Sequence, residues 1–133
     1  MITVFGSLNV DYVFQVAQLP APGETVLATN MEVLPGGKGG NQALAAAKAG
    51  AKVHMVGAVG KDGLGAIAMA GLMAAGVNTS AVTQSLKPTG TAAINVDAAG
   101  ENAITVSAGA NLEATGESLD ASQLNPQTTL LLQ

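Results

Sequence analysis

The segment Gly36-Gly37-Lys38-Gly39-Gly40-Asn41 gathers the residue types best suited to chemistry. Four glycines let a backbone turn tightly and come close to a ligand. Lys38 brings a flexible positive charge with three donors, and Asn41 brings a donor and an acceptor. A helix opening just behind the loop adds unpaired N–H groups, a natural place for oxygen-rich ligands. Such a set suits a ligand dense in hydroxyls or phosphate; a purely structural glycine turn is the competing reading. Asn9 and Asp11 form a second candidate pair. They stand two apart, on or just after a first strand, so period two puts both side chains on one side. A carboxylate beside a carboxamide can bind adjacent hydroxyls of a polyol, although a strand-end turn favours the same residues.

Two phosphate-binding patterns fit poorly. A Walker A loop needs Ser or Thr after its lysine and a glycine six positions before it; here Gly39 follows Lys38, and Glu32 holds the early position. Gly63-Leu64-Gly65-Ala66-Ile67-Ala68 matches the G-x-G-x-x-A dinucleotide pattern between a strand and a helix. Its loop reads as longer than a tight turn, and no acid follows until Asp97, whereas the fingerprint wants one about 20 residues on. Close helix packing is the preferred reading there.

The elements that must hold these residues can be read from punctuation. Ile2 to Phe5 is a short β-branched run and predicts a buried strand. Tyr12 to Leu19 and Thr25 to Leu34 predict two strands around the turn Pro20-Ala21-Pro22-Gly23-Glu24, a hairpin or flap outside the main sheet. A helix is expected over Gln42 to Ala49, stopped by Gly50. Val53 to Val59 reads as a buried strand, and Asp62 can cap a helix from Leu64 to Ala75. Strand, helix, strand, helix in that order argues for an α/β fold with parallel strands. Thr91 to Asp97 and Asn102 to Ser107 predict a second hairpin around Gly100. Thr128 to Gln133 reads as the start of a further buried strand, so the expectation is a piece of a longer fold. His54 is expected at a packed or edge position of its strand and not in catalysis, Met69 and Met73 to fill core, and Glu24 to lie at the surface.

Composition narrows the classes. Among 133 residues 48% are hydrophobic and 11% charged, which excludes disorder as the main state. Lys and Arg total 5 against 9 acids, and none of the 5 is arginine, so no basic face for nucleic acid is available. Cysteine is absent, which removes thiolate catalysis and disulfides and agrees with a cytoplasmic setting. The stretch Leu64 to Val77, all apolar or glycine, falls short of the roughly 20 residues a spanning helix needs. The N-terminus lacks a basic signal-peptide region, and no membrane partner is expected.

Taken together the motifs resemble the ribokinase family of carbohydrate kinases, the PfkB type. The resemblance rests on Gly6-Ser7-Leu8-Asn9-Val10-Asp11, Pro22-Gly23-Glu24-Thr25 and Gly36-Gly37-Lys38-Gly39-Gly40-Asn41-Gln42-Ala43. It continues through Gly57 to Gly65, Thr89-Gly90-Thr91-Ala92, and Gly100-Glu101-Asn102 to Ala108-Gly109-Ala110-Asn111. It implies an α/β fold, the N-terminal half of a ribokinase-like three-layer sandwich with a small β-hairpin lid. That half would span residues 1–133, with lid strands at about 12–34 and 91–107 and the C-terminal ATP-binding part absent.

The resemblance also implies roles. Asn9, Asp11, Gly37, Lys38 and Asn41 would bind a sugar, and residues 91–107 would line one wall of its pocket. The family's late G-A-G-D motif, source of the catalytic aspartate, does not occur in the sequence. A family glutamate that helps bind the sugar would fall just past Gln133. No catalytic residue is therefore assigned in this chain, with Lys38 able to give electrostatic assistance only. ATP and Mg²⁺ are implied for the full-length enzyme and not for this chain. The expectation is the sugar-binding half of an ATP-dependent kinase for a ribose-like sugar, inactive alone. It would associate as a homo-oligomer through its lid strands or with a chain carrying the missing half. The alternatives are a non-catalytic sugar-binding or dimerisation fragment and, more weakly, a nicotinamide-binding domain.

Overall fold

The computed structural model describes residues 1–121 and 124–133. In chain order the elements are β1 (Ile2–Phe5), β2 (Asn9–Val16), β3 (Ala28–Gly36), α1 (Lys38–Lys48), β4 (Val53–Gly60), α2 (Gly63–Ala74) and β5 (Asn78–Ser85). There follow β6 (Gly90–Val96), β7 (Asn102–Ser107), short 3₁₀ turns at Gly109–Glu113 and Gly116–Ser118, and β8 (Thr129–Leu132).

Four strands form a parallel sheet in the order β5-β4-β1-β8. The steps from β1 to β4 and from β4 to β5 run in the same direction, so right-handed crossovers put α1 and α2 on one face. The two helices pack on each other and on β4. The sequence VHMVGAVG of β4 lacks polar alternation, and all eight of its residues are buried, His54 included. Such a run is the mark of a parallel strand covered on both faces. Val4, Met55 and Val59 meet Ala43 of α1 and Ala68 and Leu72 of α2 in the core. Burying each large aliphatic side chain contributes about 1.5–3 kcal/mol.

The other four strands form a separate mixed sheet in the order β3-β2-β6-β7. β2 pairs antiparallel with β3 and parallel with β6, and β6 and β7 make the second predicted hairpin. Asp97 closes that hairpin by accepting from the N–H groups of Ala99 and Glu101, while Gly100 takes φ 83°. Val10 and Tyr12 turn one side of β2 toward the core shared with the first sheet.

Several boundaries differ from expectation, each for a local reason. The chain leaves β2 at Val16 and enters β3 at Ala28, so the first hairpin loop is longer than predicted. Pro20 and Pro22 cannot donate to a ladder, and the Glu24 carboxylate closes the turn by accepting from the Ala21 N–H. Only Lys61 and Asp62 separate β4 from α2, so that connection is tight and not long. A Cβ at Gly65 would lie 2.8 Å from the Gly60 carbonyl oxygen, in keeping with the close-packing reading of that glycine motif. β5 was not predicted, because Asn78-Thr79-Ser80-Ala81-Val82-Thr83-Gln84-Ser85 has no apolar run. Met69 packs against the core, but Met73 is 62% exposed; α2 is apolar on all sides and the chain covers only part of it.

Candidate functional site

The site is built where the two sheets meet. β1 ends at Phe5 and β8 at Leu132, and their carboxyl ends open toward the N-terminus of α1. Chain connections leave β1 toward β4 on one side, while β8 lies on its other side. That is a topological switch point, the place in open α/β sheets where a crevice forms beyond the strand ends. A cleft of about 340 Å³ lies there.

All five candidate residues line this one cleft: Asn9, Asp11, Gly37, Lys38 and Asn41. Two of their settings differ from the sequence reading. Asn9 and Asp11 do not trail the first strand; they head β2, within the second sheet. Their two-residue spacing still puts both side chains on the cleft side, since Val10 and Tyr12 face the core. Lys38 and Asn41 are not loop residues; helix α1 starts at Lys38, four residues earlier than expected.

Helix starts that contain two glycines are costly, and here packing explains them. A Cβ on Gly39 would lie 2.7 Å from the backbone nitrogen of Ser7, so only glycine lets the first turn of α1 cross the β1–β2 connection. Gly37 has φ 88°, in the left-handed region, which turns the chain from β3 into the helix. The glycines thus bring Lys38 and Asn41 to the cleft by fitting helix against backbone.

Electrically the cleft has two unlike groups. Asp11 is partly buried, its carboxylate receives no hydrogen bond from the described residues, and burial raises its pKa above the usual 3.8. Asn9 is buried to within 8% of its surface, and its Oδ1 accepts from Asn111 Nδ2 at 2.8 Å. Lys38 and Asn41 are exposed at the mouth. The facing wall is aliphatic: Ala92 and Ile94 from β6, Ile104 and Val106 from β7. Polar groups along one edge and hydrocarbon along the other suit a small polyhydroxylated molecule, whose hydroxyls and C–H faces differ in the same way.

Sequence reasoning did not single out Asn111 or Gln133 for a role. Asn111 accepts the Leu8 N–H at 2.8 Å, and its Nδ2 donates to Leu8 O at 3.2 Å, to Ala108 O at 3.0 Å and to Asn9. Gln133 Oε1 accepts from the Ser7 hydroxyl at 2.7 Å, the Ser7 N–H at 3.2 Å and the Gly39 N–H at 3.1 Å. A polar residue directly after the apolar run Leu130-Leu131-Leu132 was the available signal for Gln133. Asp62, predicted as a helix cap, does accept from Gly65 N–H. It also accepts from the Thr89 hydroxyl and N–H, which hold its carboxyl below the usual range and tie the β4–α2 corner to the start of β6.

The chain is similar to known proteins over most of its length. Ribokinase of Bacillus subtilis is 47% identical over 117 residues, which cover 86% of this chain and 39% of the relative. Ribokinase of Haemophilus influenzae is 40% identical over 111 residues, 83% of this chain and 36% of the relative. The chain therefore spans somewhat over a third of the length of these relatives. The crystal structure of ribokinase from Thermotoga maritima superposes with a TM-score of 0.85 at 38% identity, over 93% of this chain and 41% of that one. The Arabidopsis thaliana ribokinase complexed with ribose and ATP superposes at 0.73 with 35% identity, over 83% of this chain and 36% of that one. The α/β architecture is thus ribokinase-like, and the family description "pfkB family carbohydrate kinase" matches residues 1–133 in full. With its two sheets, its glycine-started helix and its sequence all pointing the same way, the chain belongs to the pfkB family of carbohydrate kinases.

Proposed function

We propose that this chain forms the sugar-binding side of an ATP-dependent kinase for a ribose-like sugar. The observation that carries the reading is the convergence of Asn9, Asp11, Gly37, Lys38 and Asn41 on one cleft with an aliphatic far wall. A partly buried carboxylate without a donor is costly, and a sugar hydroxyl supplies that donor. Asp11 accepts from the hydroxyl, Asn9 and Asn41 complete its hydrogen bonds, and the residues of β6 and β7 act as a lid over the sugar's carbon face. Lys38 at the mouth offsets negative charge on a phosphoryl group arriving there. ATP supplies that group in the complete enzyme. Among the described residues no three His, Cys, Asp or Glu side chains come together; Mg²⁺, which is usually held by one or two carboxylates and the nucleotide's phosphates, would come with ATP in the complete enzyme. The family's G-A-G-D motif, source of its catalytic aspartate, does not occur in this sequence, and on that ground we read the chain alone as inactive.

A second reading, association through the lid, has its own support. Met31, Val33 and Leu34 of the edge strand β3 are 40–48% exposed, as are Ile104 and Val106 of the opposite edge at 53–59%. Exposed apolar edges favour pairing with a second copy or with a chain that completes the fold.

Calorimetric titration with D-ribose tests the first reading. Binding by the wild-type chain, lost in Asp11→Ala at unchanged circular dichroism, supports it; unchanged affinity in that variant rejects it. Incubation with ATP, Mg²⁺ and ribose should yield no sugar phosphate.

A further inference from the structure

The amide of Asn111 can adopt one orientation only. Its oxygen faces the Leu8 N–H, and its nitrogen faces the carbonyl oxygens of Leu8 and Ala108. Turning the amide over would set oxygen against two carbonyls and nitrogen against a donor. Three backbone partners therefore decide which atom Asn111 shows to Asn9, and that atom is Nδ2. Asn9 must answer with Oδ1, which leaves its own Nδ2 with no acceptor among the described residues. That nitrogen is not sealed off: among the described residues the fully buried, unpaired side-chain atoms are those of Thr3 and His54, and Asn9 lines the cleft.

The neighbouring backbone makes room for this arrangement. A Cβ at Gly90 would fall onto both Asn111 Nδ2 and Asn9 Oδ1, so any larger residue at position 90 displaces the pair. Gly90 is the register partner of Asn9 across β2 and β6. Asn111 itself sits in the 3₁₀ turn Gly109–Glu113, outside both sheets, and reaches Asn9 across more than 100 residues of sequence.

We infer that Asn111 is a positioning residue that locks Asn9 as a hydrogen-bond donor to the ligand, beside Asp11 as an acceptor. The inference rests on the sugar-site reading and deepens it. The cleft then has fixed polarity: one hydroxyl accepts from Asn9 Nδ2 while a hydroxyl nearby donates to Asp11. A ligand group that can only donate is refused at Asn9, and one that can only accept is refused at Asp11. Asn111 touches no ligand in this scheme; it acts through Asn9.

The test is a set of D-ribose titrations by calorimetry on the whole chain, with thermal melting of each variant. Asn9→Asp keeps the oxygen that meets Asn111 and removes the donor. It is expected to weaken ribose binding about tenfold, the scale of one hydrogen bond. Asn111→Ala is expected to weaken it by a similar factor in the wild-type background and by less than about twofold in Asn9→Ala. A purely structural role would give the same loss in both backgrounds, which would overturn the inference. Retained affinity in Asn9→Asp overturns it as well. Should Asn111→Ala fail to fold, Asn9→Asp against Asn9→Ala decides alone: equal losses support the donor role, and a milder loss in Asn9→Asp rejects it. Asp11→Ala separates the two levels. If it abolishes binding while Asn9→Asp leaves affinity unchanged, the polarity falls and the sugar site stands; if it changes nothing, both fall.

Discussion

The two sheets solve different problems. In the parallel sheet β4 is wholly buried and carries no group that reaches the cleft. In the mixed sheet eight of nine residues of β3 and all six of β7 are exposed, yet β2 brings Asn9 and Asp11 to the site. The first sheet is stabilised by apolar contact on both faces. The second, open to solvent along its edges, is aligned by short polar ties, Asn111 to Leu8 and Asn9 among them. The buried strand β4 and the cleft-lining strand β2 thus have different tasks, and substitutions in them should sort accordingly.

The largest effect is expected in the buried sheet. Met55→Ala, fully buried between β1 and the helices, should cost about 2–5 kcal/mol in urea unfolding, with ribose affinity unchanged in whatever folds. Asp11→Ala should do the reverse. Removing a charged partner is expected to cost about 1.5–3 kcal/mol of ribose binding, read by calorimetry, while the melting temperature holds or rises. A Met55 variant that loses affinity without losing stability would dissolve the distinction.

The pH dependence sharpens it. Burial raises the Asp11 pKa, so folding favours the protonated acid and the ionised form costs stability as pH rises through the folded value. Ribose affinity runs the other way: it should fall as pH drops toward that value, beginning above 3.8, and Asp11→Asn should remove the step. Asp62 has the opposite sign. Its lowered pKa adds stability above the unfolded value of 3.8, and the gain disappears as pH falls through the lower folded value. Wild type and Asp62→Asn should differ at neutral pH and converge in acid, while Asp62→Ala should cost about 1 kcal/mol through the lost cap. The smallest effect is expected at the exposed edge: Val33→Thr should change stability by less than about 0.5 kcal/mol and weaken, in sedimentation, the association proposed for that edge.

How much of this was legible follows from the range of the forces involved. β1, β4, the β6–β7 hairpin and the Asp62 cap rest on neighbouring residues, and apolar runs, glycine and a capping acid announced them. β5 was hidden because its pairing with β4 needs no apolar run at a half-exposed edge. The early start of α1 was hidden because Gly39 and Gly40 oppose a helix by propensity, and only contact with Ser7 and Leu8 makes them necessary. Asn9 and Asp11 were visible by type and spacing. Asn111 and Gln133 act across 94 to 126 positions of sequence, a distance at which spacing carries no signal.

The packing of Tyr12 against the core has a practical consequence. The sequence contains no tryptophan and one tyrosine, which follows Asp11 on the opposite side of the same strand. Excited at wavelengths that Phe5 and Phe14 do not absorb, the chain therefore emits from a single place on β2, about one peptide unit from the group proposed to grip the sugar. Occupancy of the cleft can be followed by tyrosine fluorescence in the unlabelled protein, read from the strand in question.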